Sequence, residues 1–265
     1  MSTGLAIATV FVYATSSALY LAAVLGEKRS WLGVAFVTLC VGLVTNAVGL
    51  GVMGWQDGVA SLANIQRGLS LLAMTVGLSF VVISTVYKLR SLGSFAVPLM
   101  MLLQGLSALA EPTVTVDEEI KSTLLTVHIV SALLGSALFF MAAVTSAIYL
   151  FQERNLKRKA FGPMFQKLPS VDVLDQVNHR LIVVGFPIYT GAIGLGGFWA
   201  WESGEGPQLQ LQYLFAIVSW LIYAAILHAR ITTGWRGKRA ATLTIAGLVG
   251  IAAVLSTYVV RVWGA

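Results

Sequence analysis

The recurrence of long apolar stretches constrains this chain more than any other feature. A helix that crosses a bilayer needs roughly 20 mostly apolar residues, because the hydrocarbon core is about 30 Å thick and each helical residue rises about 1.5 Å. Stretches of that kind fall near 4–25, 31–54, 68–88, 93–110, 122–152, 173–198, 210–231 and 241–262. Lipid offers no partner for open backbone N–H and C=O groups, so such segments must be helical. The sequence therefore predicts an all-α polytopic membrane protein, a bundle of eight transmembrane helices forming one integral membrane domain over 1–265. Only 11% of the residues are charged, less than half of the roughly 25% usual in soluble domains. No basic region precedes the first stretch and no small-residue cleavage site follows Leu25, so that stretch reads as a retained helix rather than a signal peptide.

The net charge of +6 would suit nucleic acid if the cations were gathered on a soluble surface. They are not. Fourteen of the 17 Lys and Arg residues, among them Lys28, Arg29, Lys88, Arg90, the Arg154 to Lys159 run and Arg236 to Arg239, lie in or beside alternate loops. Arg67, Lys121 and Arg261 are left for the other side. By the positive-inside rule the first group is cytoplasmic, both termini face outward, and a nucleic-acid partner is excluded. Acids such as Asp57, Glu118 and Glu202 fall in the outer loops. The loops are short, which leaves no extramembrane domain, and no internal repeat is evident. Three histidines and one cysteine are too few for a zinc ribbon, a disulfide scaffold or a Cys-ligated cluster, and Cys40 reads as a small buried hydrophobe.

Function in such a chain is sought at polar groups inside the spans, which are costly to insert and face a bundle interior or a cavity. The spans hold almost no acids, which removes carboxylate relays. Asn46, His128, His179 and His228 remain. Asn46 suits interhelical hydrogen bonding better than ligation. His128 lies about six residues, or roughly 9 Å, inside the outer end of its span, whereas His179 and His228 lie near the cytoplasmic ends of theirs. The sixth and seventh spans are joined by a short loop and form an antiparallel hairpin, so His179 and His228 share a depth. Two imidazoles at one level can ligate a haem iron in a bundle core. The alternatives are a satisfied interior histidine at 128 and interfacial polar ends at 179 and 228.

After the sixth span the sequence predicts an outer loop, Gly194 to Gly204, in which Phe198, Trp199 and Trp201 are interleaved with glycines and followed by Glu202. Interfacial tryptophans commonly form an aromatic belt. Rings that stack on a flat macrocycle, with glycines that let backbone approach it, suit a porphyrin equally well.

The run Gly196-Gly197-Phe198-Trp199-Ala200-Trp201-Glu202 resembles the tryptophan-rich WGxYWxWD segment of CcsA-type cytochrome c assembly and haem-handling proteins, including the HemX branch. Leu174-Asp175, Asn178-His179-Arg180, Gly185-Phe186-Pro187, Leu227-His228-Ala229-Arg230 and Gly234-Trp235-Arg236 agree with it, and the match is strongest over 122–260. The resemblance implies haem held against the outer tryptophan-rich segment by two external histidines, with a second site made by histidines within spans. His128 takes the place of the first external histidine and His228 that of an intramembrane one. Leu195 stands in place of the motif's first Trp, Glu202 in place of Asp and Asn46 in place of a histidine, and the last span ends without one.

The leading expectation is therefore a haem-binding or haem-handling protein of cytochrome c assembly in a bacterial cytoplasmic membrane. It performs no catalysis of its own and binds haem of type b or transiently. His128, His228 and His179 are the candidate iron ligands, and Trp199, Trp201 and Phe198 line the site. Its partners are haem, membrane lipids and another membrane protein or apocytochrome c. Two alternatives are a b-haem or structural subunit of a respiratory complex, marked by the His179 and His228 pair, and a haem-free regulator or scaffold in tetrapyrrole metabolism. A transporter of another substrate is least favoured, because no pair of broken helices is visible in two halves.

Overall fold

The computed structural model describes residues 2–26, 30–57, 64–110, 123–160, 162, 165, 168–202 and 211–263. Among the described residues eight long helices are found: α1 (Ser2–Leu25), α2 (Trp31–Asp57), α3 (Ile65–Val86), α4 (Gly93–Leu109), α5 (Thr123–Lys157), α6 (Val171–Glu202), α7 (Leu211–Thr232) and α8 (Lys238–Trp263). Each contains a stretch long and apolar enough to cross a membrane. The chain is an all-α polytopic membrane protein. Its contacts divide into two compact units, Met1–Pro112 with Phe151–Ser170, and Thr113–Leu150 with Val171–Ala265.

Two expectations change. The predicted outer loop from Gly194 is helix as far as Glu202, while Ser203 and Gly204 lie outside the described residues. Glycine in a helix costs about 1 kcal/mol in water, but in an apolar setting leaving the backbone unpaired costs more, so the glycines stay helical. The third span, expected from 68, begins at Ile65, so that Arg67 lies in the first turn of α3 and is 9% exposed. That helix starts early because the Asn64 side chain accepts a hydrogen bond from the Gln66 N–H at 2.9 Å, a capping contact that satisfies an otherwise open donor.

In the first unit α1 packs on α2 and α4, and α3 packs on α4 and α2. Tyr13, Tyr20, Phe80 and Met100 are wholly buried there. Outside this core α2 presents Val34, Val37, Val41, Val44 and Val48 as an exposed stripe. The three- and four-residue spacing places them on one face, which lipid would cover.

In the second unit α5 and α6 run antiparallel in a regular register. His128 meets Gly196, Gly135 meets Tyr189, Phe139 meets Gly185, and Ser146 meets Asn178. The intervals on α5 of seven, four and seven residues are those of a coiled-coil seam, with a small residue on one helix receiving a larger one from the other. The Asn178 Nδ2 group secures the seam by donating to the Ser146 hydroxyl at 2.7 Å and the Ala142 carbonyl at 2.9 Å. Phe139 stacks on Tyr223 of α7 with centroids 3.7 Å apart. The Tyr223 hydroxyl donates to the Thr244 carbonyl of α8 at 3.2 Å, so the same core ties in the last two helices.

Candidate cofactor site

His128 sits near the start of α5, opposite the last turns of α6. Its Nδ1 is 2.7 Å from the carbonyl oxygen of Ala192. A carbonyl can only accept, so Nδ1 carries the proton and Nε2 keeps its lone pair. Metal-ligating histidines are commonly oriented in this way, the second nitrogen donating to a carbonyl. The ring lies directly over Gly196, where a β-carbon would come 2.6 Å from the imidazole Cε1 and 2.9 Å from Nδ1. A side chain there would displace the ring, so the glycine and the hydrogen bond together hold it against α6.

Helix periodicity then sorts the aromatic residues. At 3.6 residues per turn, Ala192, Gly196 and Trp199 fall within about 60° of one another around α6, while Trp201 is about 160° from Trp199. His128 and Trp199 thus belong to one side of α6. Phe198 and Trp201 belong to the other, where they meet edge to face at 6.2 Å and are 52% and 74% exposed. The structure brings His128 together with the Trp199 face and separates Phe198 and Trp201 from it.

His179 and His228 lie toward the other ends of α6 and α7. His179 is about 17 residues from Gly196 along α6, or roughly 25 Å. Its Nδ1 is buried without a hydrogen-bond partner. His228 is exposed. The ion pair beside it shows how α7 is turned: Arg230 donates to Asp175 of α6 through Nη2 at 2.6 Å and Nη1 at 3.2 Å. His228, two residues earlier and so about 160° away around the helix, points away from α6. The hairpin puts His179 and His228 at similar depth but does not aim them at each other.

Asp175 is a site that sequence reasoning passed over. Besides the two-pronged Arg230 contact, it accepts from the backbone N–H of Gly237 at 3.1 Å, joining α6, α7 and the turn into α8. Gly237 is fixed by this role: its φ of +70° lies in the left-handed region, and a β-carbon would come 2.7 Å from the Tyr149 hydroxyl. The available signal was an acid one turn before His179 and an arginine at matching depth on the antiparallel partner helix.

Asn46 is a hydrogen-bonding residue between helices, as its type suggested. Its Nδ2 donates to the Tyr13 hydroxyl at 3.2 Å and to Gln104 Oε1 at 3.2 Å, and its Oδ1 accepts from the Ser70 hydroxyl at 2.7 Å. One residue from each of α1 to α4 joins this buried cluster. With its amide so occupied, it has no role as a ligand. Among the described residues no group of three or more His, Cys, Asp or Glu side chains is placed to hold a bare metal ion.

These features define an all-helical, multi-pass membrane protein with an oriented histidine held against a tryptophan-bearing helix end. The chain belongs to the cytochrome c assembly protein family, whose model matches residues 62–265. Cytochrome c biogenesis protein CcsA of Guillardia theta is 28% identical over 229 residues, covering 78% of this chain and 75% of that protein. The protein of the same name from Porphyra purpurea is 27% identical over 258 residues, covering 81% and 80%. A shorter match to CcsA of Nostoc punctiforme reaches 42% identity over 85 residues, covering 32% of this chain and 24% of that one.

Proposed function

We propose that this protein handles haem in cytochrome c assembly, presenting it at the outer membrane face with His128 as the iron ligand. The observation that carries this reading is the His128 contact with Ala192 and Gly196, which fixes the ring and leaves Nε2 for a metal. Trp199, on the same side of α6, supplies an aromatic face for a flat macrocycle. Phe198 and Trp201 form an exposed aromatic pair on the other side of α6, suited to the lipid headgroup level.

At this end His128 would supply one bond to the haem iron. The chain has three histidines, and His179 and His228 lie roughly 25 Å along the helices from the level of His128. A further iron ligand at this end would come from a partner polypeptide or from solvent. Haem, when bound, supplies the vinyl groups that thioether attachment to apocytochrome c consumes. The protein's part is to hold and orient it, with no bond-making group of its own. Both termini face outward in this reading, in a bacterial cytoplasmic membrane. The respiratory-subunit alternative draws no support from the His179 and His228 pair, since His228 is exposed and directed away from α6.

The test is the absorption spectrum and haem content of the detergent-purified protein beside its His128→Ala variant. The variant is expected to lose most of its haem and to regain it with added imidazole. Unchanged content and an unchanged Soret band would remove His128 from the role.

A further inference from the structure

A second site lies in the first unit, at the end where α1 finishes, α2 begins and α3 turns into α4. There a cavity of about 640 Å³ is lined by residues that include Ser30, Gly33, Ser84, Lys88, Arg90 and Ser91. Its volume is in the range of specific ligand sites. Ser84 and Ser91 are buried and form part of the floor, and Ser30, Lys88 and Arg90 are exposed at the rim. Among its described lining residues are two cations and no acid. Among the described residues neither cation has an ion-pair partner.

The backbone is shaped to present these cations. Lys88 has φ +56°, a left-handed conformation that is costly for a residue carrying a β-carbon. It follows Tyr87, the C-cap of α3, and leads into a single 3-10 turn, Arg90–Leu92, ahead of α4. Arg90 is steadied over the Phe36 ring, its guanidinium carbon 5.1 Å from the centroid. The hydroxyls divide in their use: Ser84 donates back to its own helix, whereas Ser30 and Ser91 make no side-chain hydrogen bond among the described residues and can donate to an anion. On α3, Thr85 lines the cavity, and the exposed residues Leu78, Val82 and Val86 fall within about 100° of it around the helix, an apolar strip along one helix face.

We propose that this cavity binds the phosphate headgroup of an anionic phospholipid, with Lys88 and Arg90 on the phosphate, Ser30 and Ser91 hydrogen-bonded to it, and the acyl chains along the Leu78, Val82 and Val86 strip. Basic pockets between transmembrane helices on the cytoplasmic side are suited to such headgroups, and the positive-inside reading puts this end on that side. The apolar strip is what favours a lipid over a free anion. The proposal is independent of haem and of His128.

Native mass spectrometry of the detergent-purified full chain tests it, with phosphatidylglycerol, phosphatidylcholine and inorganic phosphate as probes. The wild type is expected to retain phosphatidylglycerol at least about fivefold better than phosphatidylcholine, and the Lys88→Gln/Arg90→Gln variant to lose that preference. Lys88→Gln alone, which leaves Arg90 on Phe36, is expected to lose part of it, and Lys157→Gln none. Equal retention of the two lipids, or retention of phosphatidylglycerol by the double variant at the wild-type level, overturns the proposal. So does displacement of the lipid by millimolar inorganic phosphate, which would mark a free-anion site.

Discussion

The imidazole of His128 rests on the backbone of Gly196, so close that a β-carbon at 196 would stand 2.6 Å from its Cε1. Gly196→Ala therefore pushes the ring off α6 and breaks the 2.7 Å bond from Nδ1 to Ala192. Gly197 is the natural control, since a β-carbon there meets nothing within 4 Å. Alanine at either position favours the helix by about 1 kcal/mol. Gly196→Ala should lower haem content severalfold and Gly197→Ala should leave it unchanged, measured as haem per protein. Equal content in the two would show that the glycine contact does not serve the site.

The Asp175 and Arg230 pair is a second point of leverage. Its side chains are only 16% and 10% exposed, and removing one partner of a largely buried pair strands the other, at a cost of about 3 kcal/mol. Arg230→Gln should lower the thermal midpoint clearly. Arg230→Lys should fall between, because a point charge cannot reproduce the two-pronged contact. A midpoint for Arg230→Gln equal to wild type would mean that the pair contributes nothing net.

Asn46 offers a test that separates stability from function. Asn46→Leu removes the bonds from Asn46 to Tyr13, Ser70 and Gln104 in the first unit, while Ser70 still donates to Gln104 Oε1 at 3.0 Å. Interhelical hydrogen bonds in membranes are worth about 0.6 kcal/mol each on average, so a total loss of about 2 kcal/mol is expected. Thermal unfolding in detergent should shift accordingly, while haem content of the folded fraction stays at the wild-type level. A loss of haem at unchanged stability would assign Asn46 to the cofactor instead.

Topology is tested within the second unit by single cysteines in a Cys40→Ser background. Trp201→Cys, at an exposed position at the end of α6, should react with an impermeant thiol reagent in intact cells. Lys238→Cys, exposed at the start of α8, should react only after the membrane is opened. The reverse pattern would invert the orientation drawn from the loop charges.

The sequence by itself determined the eight helices, because hydropathy over about 20 residues is a local property and lipid leaves the backbone no other paired state. It also determined the family, through the aromatic run at 198–201 and the motifs around Asp175, His179 and His228. Asn46 was legible as an interhelical residue from its type and setting alone. What only the tertiary structure decided is which side chains meet. The register of α5 against α6 places His128 on Gly196 rather than one turn away, and it is set jointly by Gly135 with Tyr189, Phe139 with Gly185 and Ser146 with Asn178. The rotation of α6 sends Trp199 to the His128 side and Trp201 to the opposite one. The rotation of α7, secured by Arg230 on Asp175, turns His228 outward. Depth along a helix follows from counting residues, but the direction of a side chain depends on the phase of its own helix and the packing of the next. Those are fixed by contacts between residues far apart in the chain.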